Sequence, residues 1–187
     1  MNRNHALLCP TPEWAEHLRT QVLPRLLDRT QLGGRMLEVG PGPGAATEFM
    51  RHHVEHLVAV ELDQEAVEEL RVRFAGSGVE VVHGDATAIP FPDESFDSAG
   101  CFTMLHHVPT AELQNKLLSE VRRVLRPGGV LIASDSLPSN SLHHFHEADV
   151  YNPMDPASLF PRLQTLGYER ITVSDDPTLT FTAHKQG

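Results

Sequence analysis

The chain has 187 residues, of which 40% are hydrophobic and 21% charged, and its formal net charge is −10 at pH 7. These values are typical of one globular domain, and an acidic chain without any basic run argues against a nucleic-acid partner. The two cysteines, Cys9 and Cys101, are too few for a disulfide framework and lack metal-ligand spacing. The sequence has no signal-peptide pattern and no apolar run of ~20 residues, so we expect a cytoplasmic protein without a membrane partner.

The first predicted element is an amphipathic helix from Pro12 to Asp28, whose apolar residues recur every three to four positions. Thr11 is placed to cap this helix, and Pro24 predicts a break or kink within it.

From Arg35 onward, short apolar runs alternate with helical patterns, which predicts a parallel sheet covered on both faces. The predicted strands cover residues 36–39, 57–61, 79–82, 96–101, 130–133, 168–174 and 179–184. The later predicted helices cover residues 45–53, 64–75, 111–125 and 155–166, and a turn is predicted at 126–129. Asp63 and Thr110 are predicted to cap the second and third of these helices, and the apolar stripe predicted for the third consists of Leu113, Leu117, Leu118, Val121 and Val124. The last two strands alternate in polarity and are typical of an antiparallel hairpin.

Three glycines, Gly40, Gly42 and Gly44, separate the first predicted strand from the helix after it. Glycine allows backbone angles closed to other residues and lets a ligand approach the main chain. Glu61 ends the second predicted strand, where an acid accepts hydrogen bonds from ribose hydroxyls in nucleotide-binding α/β folds. The glycine loop and this acid together predict an adenosine site.

The order of these segments resembles the class I S-adenosylmethionine-dependent methyltransferases, from about Arg35 to the C-terminus. The matching segments are 38–44, 60–63, 83–86, 96–107 and 125–131. The resemblance implies a Rossmann-like α/β fold with a seven-stranded sheet of order 3-2-1-4-5-7-6, strand 7 antiparallel, and S-adenosyl-L-methionine as the cofactor. It also implies a single methyltransferase domain, with a helical cover (1–34), a cofactor-binding half (35–135) and an acceptor-side segment (136–187).

The resemblance implies that Gly40, Gly42 and Gly44 pass under the methionine and ribose portion of the cofactor. Glu38 would lie close to the cofactor's ammonium group, and Glu61 would hold the ribose diol. Glu38 also fits a simpler interpretation, a strand-end carboxylate held by the amides of the loop.

The adenine end of the cofactor is assigned to the next segments by the same resemblance. Leu62 would lie against the adenine ring, and Asp85 would accept from its amino group while the amide of Ala86 donates to a ring nitrogen. The main chain at Cys101 and Phe102 would complete the floor of the site. Asp85 is also compatible with an ordinary turn residue.

Two other classes of protein remain possible at this point. A nicotinamide-dependent oxidoreductase has a similar loop, but its third glycine normally comes three positions after the second, whereas here it comes after two. A fold that binds the cofactor and serves only as a scaffold or sensor is the second alternative, because fold does not determine function.

Candidates for a catalytic base follow the fourth and fifth predicted strands, at the edge of the sheet where ligands bind. His106 and His107 follow the fourth strand, although they also fit a role in shaping the pocket. After the fifth strand, His146 and Asp149 are three residues apart, on one side of a helical turn, and are predicted to act as a base and its orienting partner.

The histidines at 143, 144 and 146 suggest a metal site, but magnesium prefers carboxylate oxygens, and imidazoles suit zinc, copper or nickel better. We therefore predict a solvated polar loop and no metal.

The predicted acceptor is a small molecule, because only about twenty residues separate the fifth strand from the next helix. Oxygen is favoured over nitrogen or carbon as the accepting atom, since a histidine is useful for deprotonating a hydroxyl. Trp14 and His17 are candidates to face the acceptor, with a core position preferred for Trp14. Segments 9–18 and 102–108 also resemble a group of small bacterial methyltransferases of unassigned substrate, and the oligomeric state stays open.

Overall fold

The centre of the fold is a seven-stranded sheet of order β3-β2-β1-β4-β5-β7-β6. The structure is a computed structural model that describes residues 7–9, 11–28 and 30–187. Residues 1–6, part of the stretch inspected for a signal peptide, and Pro10, part of segment 9–18, lie outside the described residues. The strands are β1 (Arg35–Val39), β2 (His56–Glu61), β3 (Val79–His83), β4 (Phe96–Phe102), β5 (Leu125–Asp135), β6 (Tyr168–Ser174) and β7 (Leu179–Lys185).

The strand directions confirm the predicted fold class. Strands β1 to β5 pair in parallel, and β7 pairs antiparallel with both β5 and β6. The carboxyl ends of the parallel strands therefore meet at one edge of the sheet, where an α/β fold binds its ligands.

The described helices connect and cover these strands. They are α1 (Pro12–His17), α2 (Leu23–Leu27), α3 (Ala45–Met50), α4 (Gln64–Arg73), α5 (Ala111–Val124), α6 (Asn140–Phe145) and α7 (Pro156–Thr165). Short polar side chains cap several of them: Thr11 accepts from the amide of Trp14 at 3.2 Å, and Asp63 and Thr110 cap α4 and α5 as the sequence predicts.

The prediction of one α-helix from Pro12 to Asp28 is wrong in its middle. Residues Leu18–Val22 form a π-helical segment, in which the Leu23 amide donates to the Leu18 carbonyl five residues back. Pro24 has no amide hydrogen and occupies the second position of α2, where a helix needs none. The predicted break is therefore real, but it lies in the turn before the proline.

Two further details differ from the prediction. The predicted turn at 126–129 lies within β5 as a bulge, since Phe96 pairs with Leu125 but Ser98 pairs with Val130. On α5, the buried face carries the polar side chain of Gln114, which is 1% exposed, while Leu113 is 36% exposed.

The two faces of the sheet carry separate apolar clusters. Met36 and Ile132 pack with the N-terminal helices on one face, whereas their neighbours Leu37 and Leu131 pack with α5, α7 and the hairpin on the other. Both faces of the central strands are thus covered, and the strand ends remain as the place for chemistry. Among the described residues, no helix combines the length and the apolar content needed to cross a bilayer.

Candidate cofactor and acceptor site

The glycine loop between β1 and α3 packs closely at its two ends and is open in its middle. All three glycines have left-handed backbones, with φ of +62° at Gly40, +52° at Gly42 and +84° at Gly44. A Cβ atom at Gly40 would lie 2.9 Å from the Met104 side chain, and one at Gly44 would lie 2.7 Å from Phe74. A Cβ at Gly42 would meet nothing within 4 Å, so a ligand can approach the backbone there.

Glu61, at the end of β2, is oriented by backbone amides. Its Oε2 accepts from the Gly42 amide at 3.3 Å, and its Oε1 accepts from the amides of Leu62 at 2.8 Å and Asp63 at 3.1 Å. The neighbouring side chain of Leu62 is 66% exposed. A fixed carboxylate beside an exposed apolar surface suits a ribose with a flat base attached.

Glu38 is a buried acid on β1, with its side chain 1% exposed. Burial, together with the nearby charge of Glu61, raises its pKa to about 7. Within the described part of the chain, Oε2 of Glu38 has no hydrogen-bond partner, and Thr47 does not reach hydrogen-bond geometry with it. A buried acceptor left unpaired in this way is suited to a cationic ligand group.

Asp85 and the last residues of β4 are the ones that the resemblance assigns to the adenine end of the cofactor. Asp85 accepts from the Thr87 amide at 2.7 Å and caps a short 3₁₀ turn that starts at Ala86. Cys101 and Phe102 are buried at the end of β4. Burial raises the pKa of the Cys101 thiol well above its usual range, so this cysteine is a packing residue and not a nucleophile.

A buried histidine and acid face each other at the ends of β4 and β5. Nδ1 of His106 contacts Oδ1 of Asp135, and the His106 amide donates to Oδ2 at 3.1 Å. The Ser136 amide donates to Oδ1 at 2.7 Å. Sequence reasoning missed Asp135, although an acid that ends a buried strand at this edge is the same signal that identified Glu61.

His106 belongs to an imidazole cluster, which consists of His106, His107 and His146. The ring centroids lie 4.1 Å apart for His106 and His107, 4.9 Å for His106 and His146, and 5.3 Å for His107 and His146. Tyr151 stacks on His146 at 4.4 Å. Burial raises the pKa of Tyr151, which keeps its phenol protonated. The structure thus brings together the predicted histidines from both segments.

Gln114 holds the two segments that carry this cluster. From its buried position on α5 its side-chain amide donates to the carbonyls of Leu105 at 2.9 Å and Asn152 at 2.8 Å. The Asn152 amide in turn donates to the His106 carbonyl at 2.8 Å. This anchor, which sequence reasoning missed, places the segment after β5 beside the segment after β4.

The predicted pairing of His146 with Asp149 stays a prediction. Nδ1 of His146 lies 2.6 Å from the Leu142 carbonyl, and the Asp149 carboxylate accepts from the Val150 amide at 2.8 Å. Asp135 contacts one imidazole ring of the cluster, that of His106.

A cavity of about 390 Å³ lies beside the end of β5, between the N-terminal helices, the segment after β5 and the β6–β7 turn. His17, a predicted acceptor-facing residue, lines this cavity. Trp14 packs instead against the apolar cluster on the face of the sheet that the N-terminal helices cover. The lining residues are His17, Gln21, Val22, Ser136, Leu137, Pro138, Ser139, Leu142, Pro177 and Thr178.

Comparison with known proteins identifies the class to which this fold and site belong. The family model described as "Methyltransferase domain" matches residues 37–133. The chain therefore belongs to the methyltransferase domain family, and the resemblance to class I S-adenosylmethionine-dependent methyltransferases is confirmed.

Individual relatives share part of their length with this chain. The fatty-acid O-methyltransferase of Mycolicibacterium smegmatis is 31% identical over 67% of this chain and 46% of its own length. The phthiotriol/phenolphthiotriol dimycocerosates methyltransferase 1 of Mycobacterium ulcerans is 35% identical over 63% of this chain and 43% of its own. The chain thus spans about half the length of the curated relatives it matches.

A solved structure supports the fold. Phosphoethanolamine N-methyltransferase 2 of Haemonchus contortus, in complex with S-adenosyl-L-methionine, matches with a TM-score of 0.74 at 17% identity, over 93% of this chain and 53% of that one. The unpaired Glu38 oxygen is compatible with this cofactor's ammonium group, and the open space at Gly42 leaves room for the cofactor beside the main chain.

Proposed function

We propose that this protein transfers a methyl group from S-adenosyl-L-methionine to an oxygen atom of a small acceptor molecule. The observation that carries the proposal is the adjacency of the glycine loop and the imidazole cluster. Met104 packs on Gly40, and the cluster begins two residues later at His106. A cofactor on the loop and an acceptor at the cluster would therefore be neighbours.

The cofactor-binding residues keep the roles implied by the resemblance. Glu38 would accept from the ammonium group, and Glu61 would accept from the ribose hydroxyls while the loop amides hold its carboxylate in place. Asp85 and the amide of Ala86 would bind the adenine edge, with its face on Leu62. These residues bind and orient, and the bound cofactor supplies a methyl group already activated by positive sulfur.

On the acceptor side the main requirement is orientation, because in-line displacement needs the nucleophile about 3 Å from the methyl carbon. A hydroxyl nucleophile must also lose its proton. Asp135 accepts from Nδ1 of His106, which leaves the lone pair on Nε2, so His106 is the first candidate to take that proton. His107 and His146, the latter with Asp149, are the alternative proton acceptors.

Two observations support a small acceptor and an oxygen atom. The cavity of about 390 Å³ is lined by Ser136, the neighbour of Asp135, but by none of the three histidines of the cluster, and its volume is within the range of about 300–1,000 Å³ that holds small ligands. One relative is a fatty-acid O-methyltransferase. The size of the cavity favours a molecule with few rings or a short chain.

Calorimetric titration tests the cofactor first, with S-adenosyl-L-methionine, S-adenosylhomocysteine and NAD in separate runs. We expect the two sulfur compounds to bind and NAD not to bind. Absence of binding by both sulfur compounds would contradict the proposal and favour the scaffold alternative.

Matched acceptors then test the accepting atom. Pairs that differ only in a hydroxyl or an amino group at one position, such as a phenol and its aniline, are incubated with cofactor, and methylated product is measured by mass spectrometry. We expect product from hydroxyl members of the panel. Product from amino members alone would overturn the assignment to oxygen.

A further inference from the structure

The imidazole cluster has the composition of a transition-metal site. One ring nitrogen from each of His106, His107 and His146 lies within 4.8 Å of the others. Two of the three histidines are buried, with exposed fractions of 4% for His106 and 3% for His146. Stacking on Tyr151 explains why the ring of His146 is buried, but another aromatic side chain could stack in the same way. It does not explain why three imidazole rings converge.

Hydrogen bonds to the ring nitrogens select the tautomer that a metal ligand needs. Nδ1 of His106 donates to Asp135, and Nδ1 of His146 donates to the Leu142 carbonyl at 2.6 Å. In neutral imidazole the lone pair is then on Nε2 of both residues. A metal-binding histidine usually donates its other ring N–H to a carboxylate or a backbone carbonyl, and one of each is present here.

We propose that His106, His107 and His146 bind a divalent transition metal ion, with zinc as the first choice. Imidazole suits zinc, copper and nickel, whereas magnesium takes oxygen ligands. Three protein ligands with a fourth position open to water or substrate is the pattern of catalytic zinc. Asp135, which is 0% exposed and contacts His106, supplies the carboxyl group that commonly accompanies a metal-binding histidine.

The distances allow this site with a small rearrangement. Zinc binds imidazole nitrogen at about 2.0–2.1 Å, so nitrogens in a tetrahedral site are about 3.4 Å apart. The present separation of at most 4.8 Å closes with a shift of about 1.4 Å or less. His146 follows the short helix α6 and His107 is only half-buried, so these two rings are the ones that adjust.

The metal's role in catalysis rests on the proposed function, although metal binding itself does not. The metal ion would bind the acceptor oxygen at its open coordination position and lower the pKa of the acceptor hydroxyl. The Nε2 lone pair of His106 would then bind the metal ion, and the metal ion, instead of the imidazole, would activate the hydroxyl. The proton would leave to solvent, and the methyl–sulfur bond would break as the methyl–oxygen bond forms.

Metal binding is tested on the full chain after treatment with a chelator. Zinc chloride is titrated calorimetrically, and cobalt chloride is titrated with visible absorption, because tetrahedral cobalt absorbs far more strongly than octahedral cobalt. The variants are His107→Gln and His146→Gln. His144→Gln is the matched control, since His144 is exposed on α6, the helix that His146 follows, and its ring contacts the Asn140 carbonyl.

We expect one zinc ion per chain, a tetrahedral cobalt spectrum, and at least a tenfold loss of affinity in either cluster variant but not in the control. Zinc should also raise the melting temperature of the wild type and of His144→Gln, and not that of the cluster variants. An octahedral or absent cobalt spectrum, or equal losses in His144→Gln and His146→Gln, would overturn the site as adventitious binding by surface histidines.

These readouts require neither cofactor nor turnover, so the two proposals fail separately. Tight zinc binding without cofactor binding would reject the proposed function and keep the metal site. Cofactor binding and methyl transfer that persist in chelator, with no tetrahedral cobalt spectrum, would reject the metal site and keep the proposed function.

Discussion

Glu38→Gln is expected to raise the stability of the cofactor-free protein at neutral and alkaline pH. Burial raises the pKa of Glu38 from 4.5 to about 7. Between those values the folded chain holds a proton that the unfolded chain has released, so the stability of the wild type falls as pH rises through this range. Glutamine has nearly the same shape without the charge and avoids this loss.

The size of the effect follows from the shift in pKa. The change from 4.5 to about 7 corresponds to about 3 kcal/mol, at about 1.4 kcal/mol per pKa unit. Solvent screening reduces it little, because Glu38 is 1% exposed. Linkage then gives the variant an advantage of about 1 kcal/mol at pH 5 and about 3 kcal/mol at pH 8.

Urea unfolding of both proteins at pH 5 and pH 8, followed by circular dichroism, measures this difference. Glu80→Gln, at an exposed position on β3, is the control and should show no such change with pH. A difference in unfolding free energy between wild type and Glu38→Gln that is equal at the two pH values would refute the reasoning.

The same substitution should weaken cofactor binding while it stabilises the fold. A hydrogen bond between a carboxylate and an ammonium group contributes about 1.5–3 kcal/mol, so the affinity for S-adenosyl-L-methionine at pH 8 should fall about tenfold or more. Calorimetry on the folded variant measures it. Unchanged affinity would remove Glu38 from the ammonium site.

Three other substitutions probe the rest of the site. Glu61→Ala should lower cofactor affinity in calorimetry by about tenfold or more, because it removes a charged acceptor. Asp135→Asn should lower kcat by about 10–100-fold with the cofactor affinity unchanged in steady-state kinetics, since it alters the group that orients an imidazole. Both glycines have positive φ, but only at Gly40 would a new Cβ meet neighbouring atoms, the Met104 terminal methyl at 2.9 Å and its Cβ and Cγ at 3.2 Å, so Gly40→Ala should be less stable to urea than Gly42→Ala.

Each of these outcomes has a control or a contrary result. Circular dichroism spectra that match the wild type exclude misfolding of Glu61→Ala. Equal losses of kcat and of cofactor affinity in Asp135→Asn would indicate a structural role only. Equal stabilities of the two alanine variants would contradict the packing described for Gly40.

The strands, the glycine loop and Glu61 were predictable because their signals are local. A short apolar run, three glycines and an acid at a fixed distance identify a strand, a turn and a strand end without any knowledge of their neighbours. Asp63 and Thr110 were predictable as caps for the same reason, and both cap their helices in the structure.

The contacts that assemble the acceptor side were not predictable in this way. Asp135 and His106 are 29 residues apart, and Gln114 reaches Asn152 across 38 residues. Gln114 follows an apolar residue on a helix whose pattern favoured Leu113 as buried, and the carbonyls that satisfy it are supplied by two loops. Only the folded arrangement shows which polar residue can be buried with its partners.

The position of β7 between β5 and β6 determines the order in which the two halves of the site can be completed during synthesis. Strands β1 to β5 and the residues assigned to the cofactor emerge from the ribosome before Leu179–Lys185, the strand that pairs with the outer edge of β5. Pro177 and Thr178, which close the cavity, arrive just before that strand. A nascent chain can therefore form strands β1 to β5 while the cavity beside β5 still lacks a wall, and truncation before Leu179 would remove an interior strand and leave β6 without its neighbour.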